Sequence, residues 1–274
     1  MKAYAKINLA LVVGSTRTDG KHEVVTILQR VDLSDEVRVT RAEEGDERIN
    51  VSMSAAGTGS PLVDELVGNA LRKISEAAGV ARGWNATVDK EIPIAAGLGG
   101  GSADAAAALL LANSALAGPL PPERLHELAA ELGADVPFFL AQGPQLGTGD
   151  GSTLEPLDLP QDYTCVLLLP DGDEKQSTAG VYAAFDDSGA ADGFGERRAE
   201  LLAALAANDL AALPRNDLAS SPLAAELTEL GAFRADVSGA GPTLYGLFRD
   251  PAAADRAAAA LAARGRVWTV SPKW

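Results

Sequence analysis

Hydrophobic and polar positions alternate over residues 3–13. Every second residue of this segment is apolar, and these apolar residues share one face. Lys6 and Asn8 stand together on the other face. A period of two is typical of a β-strand, because successive side chains point to opposite sides of a sheet. The pattern predicts a half-buried strand that carries Lys6 and Asn8 on the face away from the core.

The rest of the first half alternates between strand-like and helix-like patterns. Further strands are predicted over residues 24–33, 36–40, 48–53 and 84–90. Helices are predicted over 61–78, from 102 to before 118, and from 121 to 132. In the first of these helices, residues at helical spacing form one apolar face: Val63, Val67, Ala70, Leu71 and Ile74.

The second half also mixes strands and helices, without an internal repeat. Strands are expected over 163–169, over 266–271 and on both sides of a turn at 238–242, and helices over 178–186, 196–207, 222–231 and 251–264. The acidic segment 186–195 is predicted to be a disordered loop. Residues 141–162 are rich in Gly, Pro and Asp, which favours a linker and predicts two domains, 1–155 and 156–274. This order of elements indicates an α+β protein.

Composition and charge narrow the class of protein. Hydrophobic residues are 47% and charged residues 22% of the 274, which is ordinary for a globular chain. The formal net charge of −15 argues against a nucleic-acid or anionic-membrane partner, because either would need clustered Lys and Arg. We also find no apolar run near the ~20 residues that span a bilayer and no signal-peptide pattern. Because the one cysteine, Cys165, lies in an apolar run, we expect a reduced core thiol and a cytoplasmic location.

A glycine-rich loop is the main candidate for chemistry. The sequence P-I-A-A-G-L-G-G-G-S over residues 93–102 leads from a predicted strand into an alanine-rich helix. Glycine lets backbone N–H groups approach a ligand, and a helix N-terminus offers donors and a positive dipole end. These features predict a phosphate site. The loop lacks the lysine of a P-loop, and Ser102 replaces the last glycine of a dinucleotide loop.

Three separated motifs resemble those of the GHMP family of small-molecule kinases. They are A-K-I-N-L at residues 5–9, the glycine loop at 93–102 and S-G-A-G-P at 238–242. Two further segments, D-G-K-H-E at 19–23 and G-A-D-V-P-F at 133–138, are similar to the branch whose substrate carries a cytidine diphosphate group. The five pieces stand in the family's order along nearly the whole chain.

The resemblance implies a fold, a reaction and roles for particular residues. The expected fold has an N-terminal domain like domain 2 of ribosomal protein S5 and a ferredoxin-like C-terminal domain. ATP, accompanied by Mg²⁺, would phosphorylate the 2-hydroxyl group of a methylerythritol unit. Asp135 would accept the hydroxyl proton, and Lys6 would pair with Asp135 and offset charge on the phosphoryl group. The ATP-binding residues implied are Pro93, Ala96, Gly97, Leu98, Gly99, Gly100, Gly101, Ser102 and Ala103.

The same resemblance implies substrate-binding residues. Asn8 would hold the substrate, His22 would hydrogen-bond the cytosine, and Thr178 and Tyr182 match a segment that touches the cytidine. The family's aromatic residue before the histidine is Lys21 here, so this chain offers one ring and an aliphatic stem. The cation of Lys21 would lie over the base or reach the diphosphate. From the residues alone, Tyr182 fits a packed core position equally well, and the turn at 238–242 fits a connection without ligand contact.

Two other functions remain open at this point. One is another GHMP kinase, acting on homoserine, a mevalonate derivative or a sugar. The other is a nucleotide-binding regulator on the same fold without catalysis, against which the presence of both Lys6 and Asp135 argues. The sequence assigns neither Mg²⁺ ligands nor an oligomeric state.

Overall fold

The computed structural model describes residues 1–55, 65–81, 83–172 and 177–274. The first half contains strands β1 (Lys2–Thr16), β2 (His22–Arg41), β3 (Ile49–Ala55) and β4 (Trp84–Lys90), and helices α1 (Glu65–Ala78), α2 (Gly100–Ser114) and α3 (Pro122–Leu132). The second half contains strands β5 (Gln145–Thr148), β6 (Thr153–Pro156), β7 (Thr164–Pro170), β8 (Arg234–Val237), β9 (Leu244–Phe248), β10 (Gly265–Val270) and β11 (Pro272–Lys273). Its helices are α4 (Thr178–Ser188), α5 (Phe194–Ala206), α6 (Leu223–Glu229) and α7 (Pro251–Leu261).

The chain divides into two compact units, and each is built from three separate segments. Unit 1 comprises Met1–Ala5, Leu33–Ala95 and Gly99–Gln142, and unit 2 comprises Lys6–Asp32, Ala96–Leu98 and Gly143–Trp274. A single cut of the chain therefore does not separate the two units. The sequence boundary between residues 155 and 156 stays a prediction.

Unit 1 pairs a small sheet with three helices. Strand β4 lies parallel to β3 and antiparallel to Glu36–Arg41 of β2. Helix α1 packs against α2 and α3. Its buried residues are Val67, Ala70, Leu71 and Ile74, which confirms the predicted apolar face in the described part of the helix. Residues 61–64 of the predicted helix, Val63 among them, lie outside the described residues.

A buried ion-pair group lies beneath the start of the glycine loop in unit 1. The ammonium group of Lys90, at the end of β4, donates hydrogen bonds to Asp35 and to Asp104 of α2. The other oxygen of Asp35 accepts from the backbone N–H groups of Glu91 and Ile92, at 2.7 and 2.8 Å. Strand β2, strand β4 and helix α2 are therefore tied together immediately before the loop.

Unit 2 contains a four-stranded antiparallel sheet in the order β10-β7-β9-β8. Helices α6 and α7 pack on this sheet around a core that includes Val166, Leu168, Leu227 and Leu261. Cys165 of β7 is fully buried, as predicted for a core thiol. The loss of water around the thiol raises its pKa far above the usual range.

The Gly-, Pro- and Asp-rich stretch that suggested a linker contains two short strands of unit 2. Strand β5 pairs antiparallel with Thr26–Leu28 of β2 and also with β6. The ladder supplies partners for this backbone despite the turn-forming composition. These strands were absent from the sequence prediction.

Three other predictions are corrected by the structure. Strand β1 is buried on both faces rather than on one, since Lys6 is 4% and Asn8 5% exposed. A single strand, β2, replaces the two predicted over 24–33 and 36–40, because the polar residue Asp35 between them is paired within the fold. Helix α2 begins at Gly100 rather than at Ser102.

The acidic segment 186–195 is ordered, which corrects the prediction of a disordered loop. Helix α4 continues to Ser188, a 3-10 helix follows over Ala190–Gly193, and α5 begins at Phe194. Ala190 and Ala191 pack against an apolar cluster that contains Phe185. Small apolar residues among the acidic ones therefore supply the contacts that order this segment. None of the helices in the described part of the chain is both long and apolar enough to cross a bilayer.

Candidate active site

Lys6 and Asn8 form a buried polar pair on strand β1. The Nζ atom of Lys6 donates to Oδ1 of Asn8 at 2.6 Å. The Nδ2 atom of Asn8 donates to Oγ1 of Thr26 at 2.8 Å, and that hydroxyl donates to the carbonyl of Ala10. A buried ammonium group is costly without such partners, so the pair fixes the direction of the lysine side chain.

The turn at 238–242 packs against this pair. The N–H of Asn8 donates to Oγ of Ser238 at 3.2 Å. Gly239 has φ +59°, and a Cβ atom there would lie 3.3 Å from Oδ1 of Asn8 and 3.4 Å from Nζ of Lys6. The left-handed backbone favours glycine at this position, and the close approach leaves little room for a side chain. The predicted site residues of β1 and the third family motif are thus neighbours in unit 2.

The centre of the glycine loop also contacts the turn. Oγ of Ser238 donates to the carbonyl of Gly97 at 2.9 Å, and the N–H of Thr243 donates to the carbonyl of Ala96 at 3.2 Å. Gly97 has φ +81°, and a Cβ atom there would lie 2.3 Å from the carbonyl oxygen of Ser238. The N–H of Lys6 donates to the carbonyl of Leu98 at 2.9 Å. Residues 96–98 are therefore held in unit 2 by the turn and by β1.

The last part of the loop opens helix α2 in unit 1. Gly99 caps the helix with φ 69°, and the helix begins at the next residue. The first-turn N–H groups of a helix have no acceptor within it, and the helix dipole places positive charge there. A Cβ atom on Gly101 would meet nothing within 4 Å, so the backbone there is open to a ligand. These features fit a phosphate group.

Asp135 lies in unit 1, between α3 and a 3-10 helix over Pro137–Leu140. Its side chain is half-buried. Lys6 belongs to unit 2, so the predicted pairing of these two residues stays a prediction.

His22 and Tyr182 form an aromatic pair in unit 2. Their ring centroids lie 4.7 Å apart with an angle of 31° between the planes. Nε2 of His22 lies 2.7 Å from Oδ1 of Asp186, one turn after Tyr182 on α4. Tyr182 also packs at the edge of the apolar cluster that contains Phe185. The ring of Tyr182 packs against the core, which is one of the two alternatives left by the sequence, and its contact with the cytidine stays a prediction.

Lys21 and Thr178 occupy exposed positions. Lys21 forms a salt bridge with Asp150. Burial of the Asp150 carboxyl would raise its pKa, but hydrogen bonds from Lys21 and Ser152 outweigh burial and hold the pKa at about 2. Thr178 is the first residue of α4 and is exposed, and His126 on α3 is exposed as well.

Several partners of the predicted residues were missed by the sequence reasoning. Thr26, Asp150 and Asp186 lie 18, 129 and 164 residues from Asn8, Lys21 and His22 respectively. No spacing rule connects positions so far apart. Among the described residues, no group of three or more His, Cys, Asp and Glu side chains is arranged to hold a metal ion.

Comparison with known proteins identifies the family. The model of the GHMP kinase N-terminal domain matches residues 65–143, and that of the GHMP kinase C-terminal domain matches residues 190–267. Two relatives named 4-diphosphocytidyl-2-C-methyl-D-erythritol kinase are similar to nearly the whole chain. The protein of Cutibacterium acnes is 38% identical over 95% of this chain and 89% of its own length. That of Kineococcus radiotolerans is 39% identical over 94% of this chain and 83% of its own length.

The chain belongs to the GHMP kinase family.

Solved structures agree with this assignment. A structure of 4-(cytidine 5'-diphospho)-2C-methyl-D-erythritol kinase matches with a TM-score of 0.78 at 30% identity, over 100% of this chain and 99% of the other. Homoserine kinase from Cytophaga hutchinsonii and mevalonate kinase from L. major match at 17% and 16% identity, with TM-scores of 0.73 and 0.76. The last two share the fold alone. The α+β two-domain GHMP fold and the assignment to a family of small-molecule kinases are confirmed.

Proposed function

We propose that the protein transfers the γ-phosphoryl group of ATP to the 2-hydroxyl group of 4-diphosphocytidyl-2-C-methyl-D-erythritol. The observation that carries the proposal is the similarity of nearly the whole chain to relatives of that name, at 38% and 39% identity. Homoserine and mevalonate kinases share the fold at less than half that identity. In this proposal the protein acts in the cytoplasm, in the non-mevalonate route to isoprenoids.

The glycine loop would hold the phosphates of ATP. The backbone N–H groups of Gly97–Ala103 are the proposed donors, with Pro93 and Ala96 at the entry to the loop. The left-handed backbone at Gly97 and Gly99 and the open space at Gly101 support this role. Mg²⁺ would accompany the nucleotide and reduce the charge on its phosphates.

Lys6 and Asp135 would act on the reacting groups. Asp135 would accept the proton of the 2-hydroxyl group of the substrate. The hydroxyl oxygen would then bond to the γ-phosphorus of ATP while the bond between that phosphorus and the ADP oxygen breaks. General-base assistance of this kind is worth about 10²–10⁴-fold in rate. The buried ammonium group of Lys6 would offset the charge on the phosphoryl oxygens, and Asn8 would both direct Lys6 and contact the substrate.

The cytidine part of the substrate would bind beside His22 and Tyr182. A base can stack on an aromatic surface and use its polar edge for hydrogen bonds. Nε2 of His22 faces Asp186, which fixes the orientation of the imidazole. Thr178, on the same helix as Tyr182, would contribute a hydroxyl group. Lys21 forms a salt bridge with Asp150, and its ammonium group would be available to the diphosphate once that exposed salt bridge opens.

One experiment tests the proposal directly. ADP release is measured with four alcohols: the cytidine diphosphate conjugate, free methylerythritol phosphate, homoserine and mevalonate. The product of the preferred alcohol is then located by phosphorus NMR. We expect the conjugate to have by far the highest kcat/KM and the new phosphate to be on O2. A higher kcat/KM for homoserine or mevalonate would overturn the substrate assignment, and the absence of ADP release with every alcohol would favour a regulator without catalysis.

A further inference from the structure

Asn216 uses every polar group of its side chain inside unit 2. Nδ2 donates to the carbonyl of Val237 at 2.9 Å and to that of Gly239 at 2.7 Å. Oδ1 accepts from the N–H of Leu218 at 2.9 Å. The residue is 8% exposed and belongs to none of the motifs that resemble the family's. An amide with two donors directed at two backbone carbonyls fixes the position of both.

The segment that carries Asn216 is also tied to strand β1. The N–H of Asp217 donates to the carbonyl of Leu11 at 3.0 Å, and Oδ2 of Asp217 accepts from the N–H of Val13 at 2.8 Å. The segment therefore bridges two parts of the chain. On one side is the strand that carries Lys6 and Asn8, and on the other is the turn that begins at Ser238.

A second buried group strengthens this bridge. Nε of Arg234 donates to the carbonyl of Leu9 at 2.9 Å, and the hydroxyl of Tyr245 donates to the same carbonyl at 2.9 Å. Oδ2 of Asp236 accepts from the N–H of Asn216 at 2.9 Å. The backbone next to Asn8 and the backbone of Asn216 are thus both attached to the β8–β9 pair.

The position of the Gly239 backbone sets the space available to the side chains of Lys6 and Asn8. A Cβ atom on this residue would lie within 3.3–3.4 Å of Oδ1 of Asn8 and Nζ of Lys6. The backbone of Gly239 consequently forms one wall of the space in which Lys6 and Asn8 meet. Release of the carbonyl of Gly239 would let this wall move relative to Lys6 and Asn8.

We propose that Asn216 is a positioning residue for phosphoryl transfer. By holding the carbonyl of Gly239, Asn216 keeps the turn packed against Lys6 and Asn8. The turn then keeps the ammonium group of Lys6 in its position. Asn216 acts through these residues rather than on the substrate. The inference rests on the proposed function, because the consequence lies in the transfer step.

The test is Asn216→Asp, which replaces the donating amide with an acceptor and leaves the size unchanged. Both bonds to carbonyls are lost, and an oxygen faces them instead. We expect kcat to fall by about 10–100-fold, because small misplacements at a reacting centre cost this much. KM for ATP and for the alcohol should change less than kcat, because the variant removes none of the groups proposed to contact them. Amide hydrogen exchange at Gly241, whose N–H donates to the carbonyl of Ser238, should become faster.

Asn113→Asp is the matched control. Asn113 lies at the end of α2 and is also 8% exposed. Its side chain makes two hydrogen bonds to the backbone of Leu120. Its variant should lower the melting temperature to a similar extent while kcat stays unchanged. If Asn216→Asp does not fold, Asn216→Ser, which keeps one donor, gives the same comparison.

The outcomes separate this inference from the proposed function. A lowered melting temperature with unchanged kcat in the Asn216 variant would overturn the inference, as would an equal loss of kcat in the Asn113 variant. If the unaltered protein releases no ADP with any alcohol, the proposed function fails on its own. Hydrogen exchange then still decides whether Asn216 holds the turn.

Discussion

The Nζ atom of Lys6 lies 2.6 Å from Oδ1 of Asn8, and both side chains are more than nine-tenths buried. A charge taken out of water is retained only where partners compensate for the lost hydration. In this protein the compensation directs the ammonium group towards the turn at Gly239 and away from bulk solvent. Such a charge can offset negative charge on a phosphoryl group with little reorganisation.

Lys6→Met should lower kcat by about 10²-fold or more, because it removes the positive charge and leaves the size of the side chain similar. Steady-state ADP release at saturating ATP and alcohol measures the effect. Lys2→Met, at the exposed start of the same strand, is the control and should leave kcat unchanged. A Lys6 variant with altered melting temperature and full turnover would make Lys6 a structural residue.

Asp135→Asn should reduce turnover by about 10²–10⁴-fold, the usual contribution of a general base, while ATP still binds. Calorimetry with a non-hydrolysable ATP analogue checks binding separately from turnover. Glu131→Gln, at an exposed salt bridge of α3, controls for the loss of one carboxylate nearby in sequence. Turnover within a few-fold of the parent would remove Asp135 from the mechanism.

Gly97→Ala should weaken ATP binding, because its Cβ atom would lie 2.3 Å from the carbonyl oxygen of Ser238 and must displace the loop or the turn. Gly45→Ala is the matched control, since Gly45 has a similar φ of +84° and no atom within 4 Å of the added Cβ. Both variants carry the strain of a left-handed alanine. Equal affinities for the ATP analogue in the two variants would contradict a role of Gly97 in the phosphate loop.

Lys90→Met should destabilise the protein by about 3–5 kcal/mol, because it leaves Asp35 and Asp104 buried without their cation. Burial lowers the pKa of Lys90, but the two carboxylates outweigh burial and raise it above 10.5. The ion pairs therefore contribute stability below pH 10.5 that is lost as the pH rises through the raised pKa.

Denaturant unfolding measures this effect at neutral pH and again above pH 10.5. The difference in unfolding free energy between parent and variant should shrink at the higher pH. Lys73→Met, which breaks the exposed pair with Glu131, should cost less than about 1 kcal/mol. A difference that is constant with pH would contradict the pKa assignment.

His22→Ala should raise KM for the cytidine diphosphate conjugate and leave the reaction of free methylerythritol phosphate unchanged. The ring lies 4.7 Å from that of Tyr182, so the substitution removes one of the two paired rings. Specificity constants for both alcohols are compared with those of His126→Ala, which alters an exposed histidine of α3. An equal loss of kcat/KM with both alcohols would show that His22 does not recognise the cytosine base.

Local patterns predicted most of the elements but not their long-range partners. The period of α1 correctly placed its buried face in the described residues, whereas the glycine cluster marked the start of α2 only to within two residues. The alternation of β1 predicts only one buried face. Burial of Lys6 on the other face depends on a turn more than 230 residues later in the chain, as the bond from Asn8 to Ser238 illustrates.

The same reasoning explains the other differences. Asp35 looked like a break between strands, because its pairing with Lys90 is invisible in a local window. Asn216 belongs to no motif, and its proposed role depends on hydrogen bonds to two carbonyls more than 20 residues away, at the end of β8 and in the turn that follows. Sequence spacing therefore found the residues proposed to touch ligands, and missed those that hold them in place.

The path of the chain through the two units has a consequence for protein engineering. The chain passes from one unit to the other after residues 5, 32, 95, 98 and 142, so no single cut releases either unit intact. Residues Ala96–Leu98 of the glycine loop belong to a different unit from the residues on both sides of them. Separate expression of 1–155 and 156–274 would leave the second fragment without strand β1. Chimeras between relatives will need exchanges of several segments at once, and a graft of the loop alone will carry contacts with both units.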